Sequence, residues 1–332
     1  MAFAVFQTHD LGGQMRLQCP CESYLQCVRI HDHRLIHVSP RIVNKLVDFI
    51  RYGPKNMQVV CDFDHTLSKY IHNSEKVPVC HELFMKNPRI PEISRLRLKE
   101  LLDLYLPLET SCGIYECEKL SLMMEFWKLA HKALVDGNVS RSDIDGCVLE
   151  GGIVLRNNAT DFVNKLAELS IPLIIFSGGI GNVIETVLTS SGVSLENVRV
   201  VSNFMDFNPE GRLVGFQDPV IHSLNKMYNV IQNSEYFETI LSKRLCILLI
   251  GDSINDAKMI DDGEKFSYEQ VIVIRIGFLN EKNDEKVELF SSLYDLVLLN
   301  DETFDIPLFI LSSIVDSTEL CKHESNNETP NI

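Results

Sequence analysis

Met57-Gln58-Val59-Val60-Cys61-Asp62-Phe63-Asp64-His65-Thr66-Leu67-Ser68 is the stretch from which the rest of the chain is read. Met57 to Cys61 has the length and β-branched content of a strand buried on both faces, as in the middle of a parallel sheet. Asp62 and Asp64 then stand where that strand ends, in a turn carrying Thr66 and Ser68. In open α/β sheets the carboxyl ends of the strands form the ligand crevice, so acids there carry more functional weight than acids on a helix surface. Alone, an Asp-x-Asp pair is equally a solvated turn, and only matching elements elsewhere decide between the two.

On the N-terminal side, Ile42, Val43, Leu46, Val47 and Ile50 recur at helical spacing, and Gly53-Pro54 stops that helix before the strand. On the C-terminal side the pattern changes. Pro78 to Pro91 is irregular, while Ile93 to Leu108 and Leu120 to Val135 read as amphipathic helices, with Gly137-Asn138 ending the second. From Thr160 helix and strand alternate: a helix over Asp161 to Leu169, a strand over Ile171 to Phe176, a helix over Gly181 to Ser190 and a strand over Val198 to Ser202. Asn208-Pro209-Glu210-Gly211 marks a hairpin turn, and His222 to Ile231 reads as helical. Strands at Cys246 to Ile250, Val271 to Ile276 and Asp295 to Leu299 follow. Such alternation implies an α/β fold with a doubly wound parallel sheet. The expected division is an N-terminal extension at 1–40, a core at 41–68 and 156–315, an inserted helical cap at 69–155, and a polar tail at 316–332, unstructured from Lys322 onward.

The 332 residues are 45% hydrophobic, enough for a substantial core. The longest apolar runs fall far short of the roughly 20 residues needed to span a bilayer, so no membrane association is expected. Met1 to Phe6 lacks the basic lead and cleavage site of a secretory signal, which makes the cytoplasm the expected compartment. Ten cysteines without regular spacing read as reduced thiols, Cys61, Cys147 and Cys246 among them. Cys19-Pro20-Cys21 with Cys27 is the one cluster with metal-ligand character, and it lacks a second matching pair. A formal charge of −15 argues against binding a nucleic-acid polymer. An anionic substrate would therefore need local positive charge, from a metal or a placed Lys.

Three strand ends carry chemistry. The first is Asp62 to Thr66. The second, after Ile171 to Phe176, is Ser177-Gly178-Gly179-Ile180-Gly181, a hydroxyl and glycines opening a helix, where backbone N–H groups can approach a phosphate. The third, after Cys246 to Ile250, is Gly251-Asp252-Ser253-Ile254-Asn255-Asp256. Lys226 lies between the last two as the candidate cation. A dianionic phosphate approaching Asp62, Asp64, Asp252 and Asp256 would be repelled unless a cation intervened, and Mg²⁺ suits an all-oxygen site.

Asp62-x-Asp64-x-Thr66, Ser177-Gly178, Lys226 and Gly251-Asp252-x-x-x-Asp256, in that order, resemble the haloacid dehalogenase superfamily of phosphotransferases. Together with Val200-Val201-Ser202-Asn203-Phe204-Met205-Asp206-Phe207 and Asn225-Lys226, they look like the cytosolic pyrimidine 5′-nucleotidase (type III) family, which includes members specific for 7-methylguanosine monophosphate. The resemblance covers about residues 40 to 315. It departs at His65, where family members usually have Met, and at Gly178-Gly179, where they have Ala-Gly. It implies a haloacid dehalogenase-like core, an aspartyl-phosphate on Asp62, and Asp64 as the proton donor and acceptor. It further implies Mg²⁺ held by the Asp62 side chain, the Asp64 carbonyl and the Asp252 side chain, with Asp256 behind them. Lys226, Ser177 and Gly178 would hold the phosphoryl oxygens.

By the same resemblance Glu109 aligns with a base-reading glutamate, and His131 matches the family while Ala130 replaces its usual Ser. Trp127 reads either as helix core or as a stacking platform, best suited to the cationic ring of 7-methylguanine. The expectation is a monomeric, Mg²⁺-dependent nucleoside 5′-monophosphatase acting on CMP, UMP or 7-methyl-GMP. Its rivals are a phosphatase of another metabolite such as phosphoserine, and a non-catalytic nucleotide-binding protein.

Overall fold

The protein is described here by a computed structural model covering residues 34–110, 113–227, 234–260, 265–266 and 269–327. Its seven-stranded central sheet consists of β1 (Leu35–Val38), β2 (Met57–Cys61), β3 (Leu173–Ile180), β4 (Val198–Asn203), β5 (Cys246–Gly251), β6 (Ile272–Leu279) and β7 (Leu296–Leu299). The spatial order is β1-β7-β6-β5-β2-β3-β4. Every adjacent pair is parallel except β1 against β7. β2 is central and buried at all five residues, as its apolar run requires.

The period-2 geometry of the strands splits their side chains between two cores. Val59, Cys61, Leu173, Ile175, Leu248 and Ile250 join one cluster, and Val60, Ile174, Phe176, Ile247 and Leu249 join the other. On the first face pack α1 (Ile42–Tyr52), through Ile42, Leu46 and Phe49, and a helix at Ala159–Glu168, through Phe162, Val163 and Leu166. The second face is covered by residues such as Leu241, Ala257 and Phe290. Helices on both faces of a parallel sheet give the doubly wound arrangement expected from the alternation. Gln58 is fully buried in β2, and its amide donates to the carbonyls of Leu241, at 3.2 Å, and Arg244, at 2.7 Å.

Between β2 and β3 come a short hairpin (Ile71–His72 with Glu75–Lys76) and four helices: α2 (Cys80–Lys86), α3 (Glu92–Thr110), α4 (Glu116–Asp136) and α5 (Arg141–Glu150). The α3 and α4 helices match the two amphipathic segments read from the sequence. α2 overturns the irregular reading of Pro78 to Pro91, and α5 was not anticipated, although Ser140 and Asp143 form a capping box at its start. The four helices pack on one another, α2 against β3, α5 against α7 (Gly181–Ser190), and α4 against the Met205–Phe207/Leu213–Phe216 hairpin. That hairpin turns at Asn208 to Gly211, where Gly211 takes a φ of 76°.

Three further expectations need correction. Leu35–Val38, assigned to the extension, is an edge strand of the sheet, because Leu35 is buried and its backbone pairs with β7. His222 to Met227, the described part of the expected helix over 222–231, is a turn and loop. Asn225 there accepts from His222 N at 2.7 Å and donates to Val220 O at 2.8 Å, local bonds that compete with helical ones. The last helix, Asp305–Asn327, runs through residues 322–327, which were expected to be unstructured. Buried Thr318 bonds to the carbonyls of Ile50 and Ile314, anchoring the helix beyond residue 316, and added turns propagate from there at little cost. The Cys19, Cys21 and Cys27 cluster lies outside the described residues. Cys61, Cys147 and Cys246 are free thiols. Among the described residues, no helix is long and apolar enough to cross a membrane.

Phe49 sits fully buried on α1. Phe49→Ala is expected to lower unfolding free energy by about 3–5 kcal/mol. A urea melt with an unmoved midpoint would contradict this packing.

Candidate active site

β2 delivers Asp62 to the sheet's carboxyl edge, where its N–H donates to Ile250 O of β5 at 3.0 Å and extends the ladder. The chain then turns tightly, with Thr66, Leu67 and Ser68 all returning their N–H groups to Phe63 O. His65 adopts a left-handed φ of 61°, unusual for a residue with a side chain. Its N–H donates to Ser68 Oγ at 2.8 Å, and its ring Nε2 lies 2.9 Å from Val77 O. The three strand ends singled out in the sequence meet here. Carboxyl oxygens of Asp62, Asp252 and Asp256 all lie within 4.8 Å of one another. Lys226 Nζ sits 2.6 Å from Asp62 Oδ1 and 2.7 Å from Asp256 Oδ1, and all three side chains are buried.

Each loop is pinned by polar side chains bonded to backbone. Asp256 Oδ2 accepts from Asp252 N, Ser253 N and Ser253 Oγ, at 3.2, 3.0 and 2.8 Å. A Cβ at Gly251 would lie 2.3 Å from Asp256 Cβ, so only glycine permits this fold-back. Asn203, at the end of β4, donates to Gly178 O, Gly179 O and Ile221 O and accepts from Ile221 N, joining the glycine turn to the loop that bears Lys226. Asn280, just past β6, donates to Asp252 Oδ2 at 3.1 Å and His65 O at 3.0 Å. Thr66 Oγ1 lies 3.4 Å from Asp252 Oδ1. Arg156, 1% exposed, donates to the carbonyls of His65, Thr66 and Asp301 and to Asn280 Oδ1, with its guanidinium 4.1 Å from the Phe278 ring centroid.

The electrostatics follow from this crowding. Burial, with Asp256 adding to it against Lys226, raises the Asp62 carboxyl to about 6. Burial and then the Asp62 charge raise Asp64 to about 7, a value suited to giving and taking protons near neutrality. Burial, Asp256 and Asp62 push Asp252 well up. Burial disfavours the Lys226 ammonium, but Asp256 and Asp62 outweigh it and drive the amine up, so it stays charged. Three carboxyl groups thus face a single ammonium, and the cluster holds more acid than the Lys226 charge can compensate. The donor set is all oxygen, and together these features fit a hard divalent cation.

Asp64 faces the other way. Its Oδ1 accepts from Cys80 N at 3.0 Å and from Cys80 Sγ at 3.3 Å. Next to Cys80 in sequence, His81 lies 4.1 Å from Trp127 between ring centroids, and Trp127 is 6.1 Å from His131. His131 stacks on Phe216 at 3.7 Å and 6°. An unbroken line of contacts therefore runs from the core carboxylates to the rings of α4. Burial holds His131 down to about 4 and His81 well below its usual value, so both are neutral. Trp127 is half-buried, intermediate between a core residue and an open platform. Glu109 lies in the last turn of α3, and its side chain is outside what is described. Ser177 is buried in the glycine turn, with its Oγ accepting from Gly179 N at 3.0 Å.

Arg156, Asn280, Cys80, His81 and Phe216 were not foreseen as site residues. Only Asn280 carries a usable signal, a polar residue directly after a buried strand.

Comparison with known proteins follows the same line. Residues 65–315 match the family described as Pyrimidine 5'-nucleotidase (UMPH-1). A 7-methylguanosine phosphate-specific 5'-nucleotidase A of Xenopus laevis is 38% identical over 271 residues, 82% of this chain and 92% of that protein. The 7-methylguanosine phosphate-specific 5'-nucleotidase of Drosophila melanogaster is 33% identical over 322 residues, 96% of this chain and 95% of its own length. The crystal structure of cytosolic 5'-nucleotidase IIIB bound to cytidine superposes with a TM-score of 0.80 at 31% identity, covering 89% of this chain and 99% of that one. A probable phosphoserine phosphatase from Vibrio cholerae, at 12% identity and a TM-score of 0.50, shares the fold.

Because Asn280 donates to the Asp252 carboxyl, Asn280→Ala is expected to weaken the binding of a divalent cation at this cluster by about 10- to 100-fold. Calorimetric titration without substrate reads this directly, and an unchanged affinity would mean that Asp252 is held by other groups.

Proposed function

Since the chain belongs to the pyrimidine 5′-nucleotidase (UMPH-1) family, and is thereby a phosphoric monoester hydrolase, we propose that it hydrolyses 7-methyl-GMP, CMP or UMP to nucleoside and phosphate. We assign the reaction a Mg²⁺ dependence and an aspartyl-phosphate intermediate on Asp62, in the cytoplasm. The observation that carries this reading is the cluster of Asp62, Asp252 and Asp256, with Lys226 paired to Asp62 and Asp256 and with Asp64 two residues beyond the nucleophile.

Asp62 attacks phosphorus, and its ion pair with Lys226 keeps the attacking oxygen ionised. Asp64, held near 7, gives its proton to the departing 5′-oxygen and then takes one from the water that cleaves the acyl phosphate. Lys226, Ser177 and the Gly178 turn hold the transferring oxygens. Asp62, Asp252 and the Asp64 carbonyl are the residues that would hold Mg²⁺, and Asp256 stays behind them, its Oδ2 already taken by three donors. The bound ion would offset the repulsion between these acids and the dianionic substrate.

The helices between residues 69 and 155 serve as a cap that reads the base, since the core groups contact only phosphate. Trp127, His81 and His131 form the base-facing surface, with Glu109 as the carboxylate for base N–H groups. Neutral histidines beside a half-buried indole favour a cationic ring, which supports 7-methyl-GMP as a substrate alongside the pyrimidine nucleotides.

Initial rates on 7-methyl-GMP, CMP, UMP, AMP, GMP and phosphoserine, with Mg²⁺ and with chelator, test the reading. Turnover of phosphoserine with every nucleotide left intact would overturn it. A folded Asp62→Asn variant is expected to lose about 10⁴-fold or more in rate. Trp127→Ala should raise KM for 7-methyl-GMP about tenfold and for CMP less. Equal changes for both would place the indole in the helix core.

A further inference from the structure

We propose that Cys80 is a positioning residue for Asp64, its thiol and backbone amide together fixing which carboxyl oxygen carries the proton for the leaving group. This rests on the nucleotidase reading above. Asp64 Oδ1 receives two donors, Cys80 N at 3.0 Å and Cys80 Sγ at 3.3 Å. Among the described residues no donor is recorded at Oδ2. A carboxylic acid whose one oxygen accepts two hydrogen bonds keeps its proton on the other, because the doubly bonded oxygen is the better-stabilised acceptor. Oδ2 is thereby the donor, and it lies toward the phosphate turn. A Cβ built on Gly179 would be 3.0 Å from Asp64 Oδ2, 2.9 Å from Cys80 Sγ and 3.1 Å from Ser177 Oγ.

The sulfur is packed as tightly as the carboxyl it holds. Cys80 is fully buried, with its sulfur against the backbone of the glycine turn at Gly179. One side chain thus ties together the first helix of the insert, the glycine turn of β3 and the acid that follows β2. The thiol acts only as a donor to Asp64 and undergoes no covalent change. In the first half-reaction the Oδ2–H bond breaks as the proton passes to the 5′-oxygen, whose bond to phosphorus breaks in turn while Asp62 forms the new one.

The test separates esters by their need for that proton. In rapid-mixing experiments with Mg²⁺, 7-methyl-GMP or CMP releases an alkoxide-like oxygen, whereas 4-nitrophenyl phosphate releases a stable phenolate. Cys80→Ala is expected to slow first-turnover nucleoside release about tenfold while the nitrophenolate burst stays within about twofold, with KM for both unchanged. Cys80→Ser, which keeps a donor, is expected to restore the nucleoside rate. Equal slowing with both esters, or no slowing with the nucleotide, would overturn the assignment. If the alanine variant is unfolded by circular dichroism, Cys80→Val keeps the volume without the donor and repeats the comparison. A wild-type protein that cleaves 4-nitrophenyl phosphate but no nucleotide would sink the nucleotidase reading alone. The Cys80 comparison then runs on β-glycerophosphate, an alkyl ester with the same requirement. No turnover of any of these esters would sink both.

Discussion

One buried ammonium, that of Lys226, lies between the carboxylates of Asp62 and Asp256, and the approach of the β2 and β5 strand ends depends on it. Removing charges from water costs several kcal/mol per ion, and only close, well-paired geometry returns that cost. Lys226 supplies such geometry to two acids but not to a third. Asp252 is left beside them, held by Thr66 and Asn280 and crowded by like charge. The site is therefore built with a deficit of positive charge, which a divalent cation and a phosphate dianion together can occupy with little net repulsion. A core of the same shape filled with apolar side chains would be easier to fold and would bind neither.

Holding acids at this spacing requires irregular backbone, and irregular backbone at the end of a buried strand has no ladder partners of its own. Side chains supply them. Asn203 and Asn225 tie down the glycine turn and the Lys226 loop, while Arg156 and Asn280 tie down the Asp62 turn and Asp252. Arg156 spends most of its donors on carbonyl oxygens, so its charge serves backbone geometry more than pairing. These residues would not touch a substrate, yet they determine the distances on which the chemistry rests. Their number explains how residues in the turns and loops beyond the strands are held in one volume once the sheet has brought the strand ends to one edge.

The helical insert meets this assembly at a narrow point. Cys80 touches Asp64 and the adjacent His81 touches Trp127, so two consecutive residues join the phosphate end of the site to its aromatic end. Any shift of the insert relative to the sheet would move both together. Under the proposed function, recognition of a base and placement of the acid are mechanically the same event.

The fold was legible because its signals are local. Buried strands announce themselves as short apolar runs, helices by 3.6-residue spacing, and strand ends by the acids and glycines that interrupt them. Asp62, Asp64, Ser177, Asp252 and Asp256 could be chosen that way, and the sheet brings the ends of their strands to one edge, while Lys226 was singled out only as a cation between two of those ends and sits in a loop. What the chain order could not reveal were partners chosen by proximity after folding. Arg156 stands 90 residues from Thr66 and 145 from Asp301, and nothing near it in sequence marks those carbonyls as its own. Leu35–Val38 became a strand only because β7 offered an edge, and His222 to Met227 failed to become a helix because Asn225 takes the His222 N–H while the distant Asn203 holds the backbone of the adjoining Ile221. Amino-acid order determined which elements form and which groups stand at their ends, since both depend on neighbours within a few residues. Which of those groups meet, and which charge is left uncompensated, was decided by tertiary packing, because hydrogen bonds and Coulomb forces act on distance in space.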